Sequence, residues 1–243
     1  MLILDFDGVI ADAFTECAVV TYYADHDPIT LAGKPISELA EAMPAPFMER
    51  FRRVRTFARV LDDFMLARDS AAESIRTVED YEALRDRIAP KRLSSLVDGA
   101  IAVRTVLREQ RRDEWLSMHT LYPGIADLLH RHRGRGTSIV TAKDEPSVWD
   151  ILAHHQLETT VTEVIGECSD KRTAVQLLAE GDGLPASAVT FIDDHVTNAL
   201  AVRDTGANSL WAWWGYHTAD HIERAVTRRQ RRIYLPELAQ LSA

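Results

Sequence analysis

Cysteine is scarce: Cys17 and Cys168 are the only two in 243 residues. Two cysteines cannot build a disulfide framework, and such sparing use suits a reducing compartment, so a cytoplasmic location is expected. Long apolar runs are missing as well. None approaches the roughly 20 residues that a bilayer-spanning helix needs, and no membrane partner is expected. The apolar opening Met1-Leu2-Ile3-Leu4 runs straight into Asp5 and Asp7, so it is not read as a secretory signal. Positive charge is in deficit: 28 Lys and Arg against 37 Asp and Glu leave a net charge of −9. That balance argues against nucleic acid or an anionic membrane as the main partner. Internal repeats and low-complexity stretches are absent. What remains, 46% hydrophobic and 27% charged residues, is the make-up of an ordinary globular protein. A chain of this length buries roughly 70% of its unfolded surface, so a core can hold it without staples.

Short apolar runs alternate with helical patterns through the second half. Ser138-Ile139-Val140, Val161 to Ile165, Val189 to Ile192 and Ser209 to Trp213 read as buried strands. The stretches between them carry helix punctuation. One begins at Pro146 and places Val148, Ile151 and Leu152 on a face. A second begins near Ser169 as N-cap and stops at Gly181; a third runs from about Thr197 to Gly206. This alternation predicts an α/β fold with a Rossmann-like parallel sheet covered on both faces, and Leu2-Ile3-Leu4 as its central strand.

The segment from about Phe14 to Leu116 differs. It has no convincing strand and many helical runs, such as Met48 to Leu66 and Leu93 to Leu107, punctuated by Pro28, Pro35, Pro44, Pro46 and Pro90. It reads as a helical insertion after the first strand. The expected organisation is therefore a core of residues 1–13 and 117–243 with a helical unit of 14–116. Tyr122-Pro123-Gly124 restarts the core, opening a helix that ends near Gly134.

Parallel sheets bind ligands at the carboxyl ends of their strands. The first strand ends in Asp5-Phe6-Asp7-Gly8, the second in Thr141 and the fourth in Asp193-Asp194, while Lys171 opens the helix after the third. On such a sheet these groups converge on one crevice. Two carboxylates one residue apart can both face a ligand if the chain turns, and Gly8 supplies the freedom. One can attack phosphorus while the other protonates the leaving oxygen and later deprotonates water. An anion attacking an anion needs a cation, and Mg2+ takes hard oxygen ligands of the kind Asp5 and Asp194 offer. Lys171 and the Thr141 hydroxyl would hold the phosphoryl oxygens.

Asp5-Phe6-Asp7-Gly8-Val9-Ile10, Thr141, Lys171 and Asp193-Asp194 with Asn198 resemble the four motifs of the haloacid dehalogenase-like superfamily. Tyr122-Pro123-Gly124, Val140-Thr141-Ala142-Lys143 and Trp214-Gly215-Tyr216 further resemble its phosphoglycolate phosphatase-like members. The resemblance implies Asp5 as nucleophile, Asp7 as acid/base, and Thr141 and Lys171 as phosphate-binding residues. It implies Mg2+ held by Asp5, the Asp7 carbonyl and Asp194, with Asp193 supporting through water. The inserted segment would be a cap that closes over a small phosphorylated metabolite. The expected activity is hydrolysis of a phosphate monoester through an aspartyl-phosphate; a phosphomutase and a non-catalytic binding protein are the alternatives. Two departures stand out. The fourth motif is Asp193-Asp194-His195-Val196-Thr197-Asn198, where many relatives have Gly-Asp and a later Asp. Lys171 lacks the Lys-Pro of phosphoglycolate phosphatase-like members, which weakens that substrate in particular.

Several residues have plainer readings. Asp193 and Asp194 fit helix capping as well as metal binding. Arg172 and Lys143 compete with Lys171 for the phosphate. Arg50, Arg52, Arg53, Arg55 and Arg59 read mostly as a solvated helix face, and Arg228, Arg229, Arg231 and Arg232 as a solvated helix end. His217 and His221 have helical metal-ligand spacing without supporting ligands and read as structural. Trp211, Trp213 and Trp214 read as packing.

Overall fold

A computed structural model describes residues 1–241. The apolar runs form a six-stranded parallel sheet from β1 (Leu2–Leu4), β4 (Thr137–Val140), β5 (Glu163–Ile165), β6 (Thr190–Asp193), β7 (Asn208–Ala212) and β8 (Arg232–Ile233), in the order β5-β4-β1-β6-β7-β8. Outside it, β2 (Ala11–Asp12) pairs antiparallel with β3 (Thr120–Leu121). Leu2 lies opposite Thr137 on one side and Thr190 on the other, so β1 is interior and fully flanked. A strand covered on both faces can be apolar at every position, as Leu2, Ile3 and Leu4 are.

The chain divides into two compact units. One comprises Met1–Asp12 and the chain from Thr120 onward; the other is Ala13–His119. In the first, Ile3, Val140, Val175, Val189, Phe191 and Val202 form one core cluster. Val196, Ala199, Leu200, Trp211 and Ala225 form another. Each large apolar side chain buried there contributes roughly 1.5–3 kcal/mol.

The helices after β4, β5 and β6 begin where a side chain takes up their first N–H groups. Asp144 accepts from Ser147 at the start of Glu145–His154. Asp170, one residue beyond the expected Ser169, accepts from Thr173 at the start of Lys171–Gly181. His195 Nδ1 accepts from Thr197 at the start of Val196–Arg203.

The second unit is helical, and no strand occurs among its described residues. The expected Met48–Leu66 run is not one helix. It splits into Ala45–Arg55, Leu61–Phe64 and a 3-10 turn, Met65–Arg68. The break comes from Asp63, whose buried carboxylate accepts the N–H groups of Arg59 and Val60 and so restarts the helix. The arginines here are not a simple solvated face. Arg55 is buried, with its guanidinium 5.2 Å from the Phe64 ring, and Arg50 donates to Ala67 O at 2.9 Å. Buried Glu16 receives Arg104 Nε at 2.7 Å, tying together the helices Phe14–Tyr22 and Pro90–Gln110.

Candidate active site

The site is built at the carboxyl ends of β1, β4 and β6. Asp5 N–H bonds Ile192 O at 2.9 Å, so the ladder runs one residue beyond β1 and fixes Asp5 at the sheet's edge. The chain then coils: Phe6 O accepts the N–H groups of Ile10 and Ala11 at 2.8 and 3.1 Å. Gly8 makes the turn with φ +91°, in the region that side chains disfavour. A Cβ at Gly8 would also lie 2.2 Å from Asp194 Oδ2, so glycine is required by space as well as by conformation.

Three of the expected site residues, Lys171, Asp5 and Asp193, meet directly. Lys171 Nζ lies 2.6 Å from Asp5 Oδ2 and 2.9 Å from Asp193 Oδ2. Asp5 Oδ1 accepts the Phe6 N–H at 2.7 Å. Burial pushes the Asp5 carboxyl up to about 6, against the pull of Lys171 and with Asp193 adding to the rise. Burial alone would lower Lys171; Asp193 and Asp5 together outweigh it and hold the ammonium charged, above the usual lysine range. Asp193 is committed on both oxygens. Oδ1 accepts the His195 N–H at 2.7 Å, and Asn198 Nδ2 reaches Oδ1 at 3.3 Å and Oδ2 at 3.1 Å.

Asp194 is held differently. Its Oδ2 accepts the Tyr216 N–H at 3.0 Å, and its carbonyl accepts Trp211 Nε1 at 2.7 Å. A Cβ on Gly215 would fall 2.2 Å from Asp194 Cβ. Asp194 is therefore wedged between the backbones of Gly8 and Gly215. Carboxylate oxygens of Asp5, Asp193 and Asp194 can lie within 4.8 Å of one another, the one such group of possible metal ligands among the described residues. Three hard oxygen donors at that spacing suit Mg2+.

Asp7 and Thr141 make other contacts. Asp7 Oδ2 is 3.5 Å from Lys143 Nζ, and Asp7 Oδ1 is buried with no hydrogen-bond partner. Thr141 is buried just past β4, where Oγ1 accepts the Lys143 N–H at 3.2 Å. Helices beginning at Glu145, Lys171 and Val196 follow β4, β5 and β6, so the positive ends of their dipoles lie at this edge and favour an anion.

Sequence reasoning undervalued two features. In the sequence Lys143 competes with Lys171 for the phosphate, whereas in the structure Lys143 reaches Asp7 and Lys171 reaches Asp5. The Trp214-Gly215-Tyr216 segment does more than pack: Tyr216 holds Asp194 and, through its hydroxyl, Asp12 Oδ1 at 2.8 Å, while Trp214 Nε1 donates to Val9 O at 3.2 Å. A glycine between two aromatics just beyond a strand end was the available signal.

No protein-family model matches the chain. A curated phosphoglycolate phosphatase of Aliivibrio fischeri is 27% identical over 126 residues, covering 49% of this chain and 56% of that protein. The match thus spans about half the length of that relative. Solved structures match along the whole chain. A predicted phosphoglycolate phosphatase from Haemophilus somnus has TM-score 0.67 at 14% identity, covering 99% of this chain and 96% of the other. A haloacid dehalogenase-like family hydrolase from Streptococcus pneumoniae has TM-score 0.59 at 17% identity, with 99% and 97% covered. A HAD-superfamily hydrolase, subfamily IA, from Geobacter sulfurreducens has TM-score 0.56 at 16% identity, with 100% and 95% covered. With its six-stranded parallel sheet and the acids at the sheet's carboxyl edge, the chain has the fold of the haloacid dehalogenase-like hydrolases.

Proposed function

We propose that the protein is a phosphohydrolase that cleaves a small-molecule phosphate monoester through an aspartyl-phosphate on Asp5. The observation that carries this reading is the Lys171 bridge, with Nζ 2.6 Å from Asp5 and 2.9 Å from Asp193, beside Asp194 at the carboxyl edge of the sheet. The named relatives are phosphatases and hydrolases, which supports the same chemistry.

An Asp5 oxygen attacks phosphorus, and the bond from phosphorus to the ester oxygen breaks. Asp7 gives that oxygen its proton. Water then loses a proton to Asp7 and attacks the same phosphorus, breaking its bond to Asp5 and releasing inorganic phosphate. Lys171 holds the phosphoryl oxygens as charge shifts, and its two carboxylate partners keep it charged for that task. Thr141 adds a hydroxyl at the end of β4. Asp5, the Asp7 carbonyl and Asp194 would hold Mg2+, with Asp193 behind them. When bound, the ion offsets the repulsion between the Asp5 carboxylate and the phosphoryl group.

A panel of phosphorylated metabolites tests the activity. Release of inorganic phosphate is expected from some of them with Mg2+ present, is expected to stop on chelation, and is expected to return when Mg2+ is restored. Release that continues after exhaustive chelation would remove the metal from the account. Isomerised product without net phosphate would point to a mutase, and silence across the panel to a binding protein.

A second prediction concerns how Asp194 is held. Because Gly215 leaves no room for a Cβ, Gly215→Ala is expected to displace Asp194 and weaken Mg2+ binding by about 10–100-fold, the usual range for a disturbed outer shell. Titration calorimetry with Mg2+ measures this, and an unchanged affinity would dissociate Asp194 from the metal.

A further inference from the structure

Lys143 is a lysine whose side chain is fully buried, 3.5 Å from Asp7 Oδ2. A buried ammonium is costly unless it faces opposite charge, so a lysine here is not a neutral packing choice. Its backbone is also rigidly placed. Lys143 donates its N–H to Thr141 Oγ1 and accepts the Glu167 N–H at 3.0 Å. Thr141 in turn accepts the Cys168 N–H at 2.9 Å. Gly166 permits this close packing: a Cβ there would lie 2.9 Å from Lys143 O and 2.5 Å from Glu145 N. The turn that carries Lys143 is thus stapled to the segment leading to Lys171.

Both lysines reach carboxylates of the site. Lys171 lies against Asp5 and Asp193, and Lys143 lies against Asp7. On Asp7 the contact falls on Oδ2, while Oδ1 is buried and has no hydrogen-bond partner. We infer that Lys143 is a positioning residue: its ammonium, beside Oδ2, holds in place the Asp7 carboxyl that exchanges a proton with the ester's leaving oxygen. This rests on the proposed hydrolase reading, in which Asp7 is the acid.

The assignment separates Lys143 from a phosphate-binding lysine. A phosphate binder serves every ester equally, whereas a residue that positions the acid matters in proportion to the leaving group's need for a proton. General acid catalysis contributes about 10²–10⁴-fold where that need is large. Lys143→Met keeps the length and removes the charge. It is expected to lower kcat/KM at least ~30-fold for an alkyl ester such as glycerol phosphate and less than ~5-fold for p-nitrophenyl phosphate, whose leaving group needs little protonation. The ratio of the two is taken on one preparation, so any misfolded fraction cancels. In an Asp7→Asn background, Lys143→Met is expected to cost the alkyl ester no more than a further ~3-fold, because the two residues act as one unit. Equal losses on both esters, or full additivity with Asp7→Asn, would overturn the assignment while leaving the hydrolase reading intact. A wild-type chain that releases phosphate from neither ester nor any member of the metabolite panel would overturn that reading and the assignment with it.

Discussion

Asp5→Asn is expected to remove at least ~10³-fold of the turnover while leaving the chain folded. Asparagine has nearly the shape of aspartate and keeps an oxygen for the Phe6 N–H, but its amide does not form an acyl phosphate. Stability is not expected to suffer. Burial raises Asp5 to about 6, above its usual 3.8, so its ionised form weighs against the fold. A carboxyl raised on folding contributes stability that is present below pH 4 and lost as pH rises through 6. Substituting asparagine removes that loss at neutral pH. Lys171 retains Asp193 as a partner at 2.9 Å. Turnover measured on a purified, cooperatively melting variant decides the point. Activity within tenfold of wild type would rule out Asp5 as the nucleophile.

Lys171→Met is expected to damage both stability and catalysis. Lys171 is the cation between two buried carboxylates, and a Met in its place fills the volume without the charge. Asp5 and Asp193 are then left as buried like charges. Breaking a buried pair in this way costs about 3–5 kcal/mol. Without Lys171 the Asp5 carboxyl, already raised to about 6, would be pushed further up, so the deficit is largest at pH 7, where it is ionised. It shrinks as pH falls and Asp5 takes a proton. Denaturant unfolding at pH 7 and pH 5 reads the difference. Turnover at pH 7 should fall by about 10²–10³-fold, as when a preorganised partner of the transition-state charge is removed. A variant within 1 kcal/mol of wild type at pH 7 would show that the bridge at 2.6 and 2.9 Å contributes no net stability.

The parallel sheet was legible because a strand buried on both faces is apolar at most of its positions. Leu2-Ile3-Leu4, Ser138 to Val140 and Val189 to Ile192 carry that signature, and each stops abruptly at a polar residue. The same stops fall at Asp5, Thr141 and Asp193, since the carboxyl edge is where such strands leave the core. The edge strand Arg232–Ile233 and the Ala11–Asp12 and Thr120–Leu121 pair were not legible. Two residues are too few to show a period, and their partners lie far away in sequence.

By itself the sequence determined the strand–helix alternation, the helical character of the segment after the first strand, and the acids, threonine and lysine at the strand ends. Only the tertiary structure decided which lysine meets which carboxylate. Composition and spacing assign no environment to Lys143 or Lys171, whose partners Asp7 and Asp5 lie 136 and 166 residues away along the chain. Their burial, and so the strength of the fields between them, exists only once the sheet has gathered β1, β4 and β6 side by side. The same holds for Gly215. As a residue it records only the lack of a side chain; the reason, Asp194 pressed against its backbone, is a contact that the fold creates.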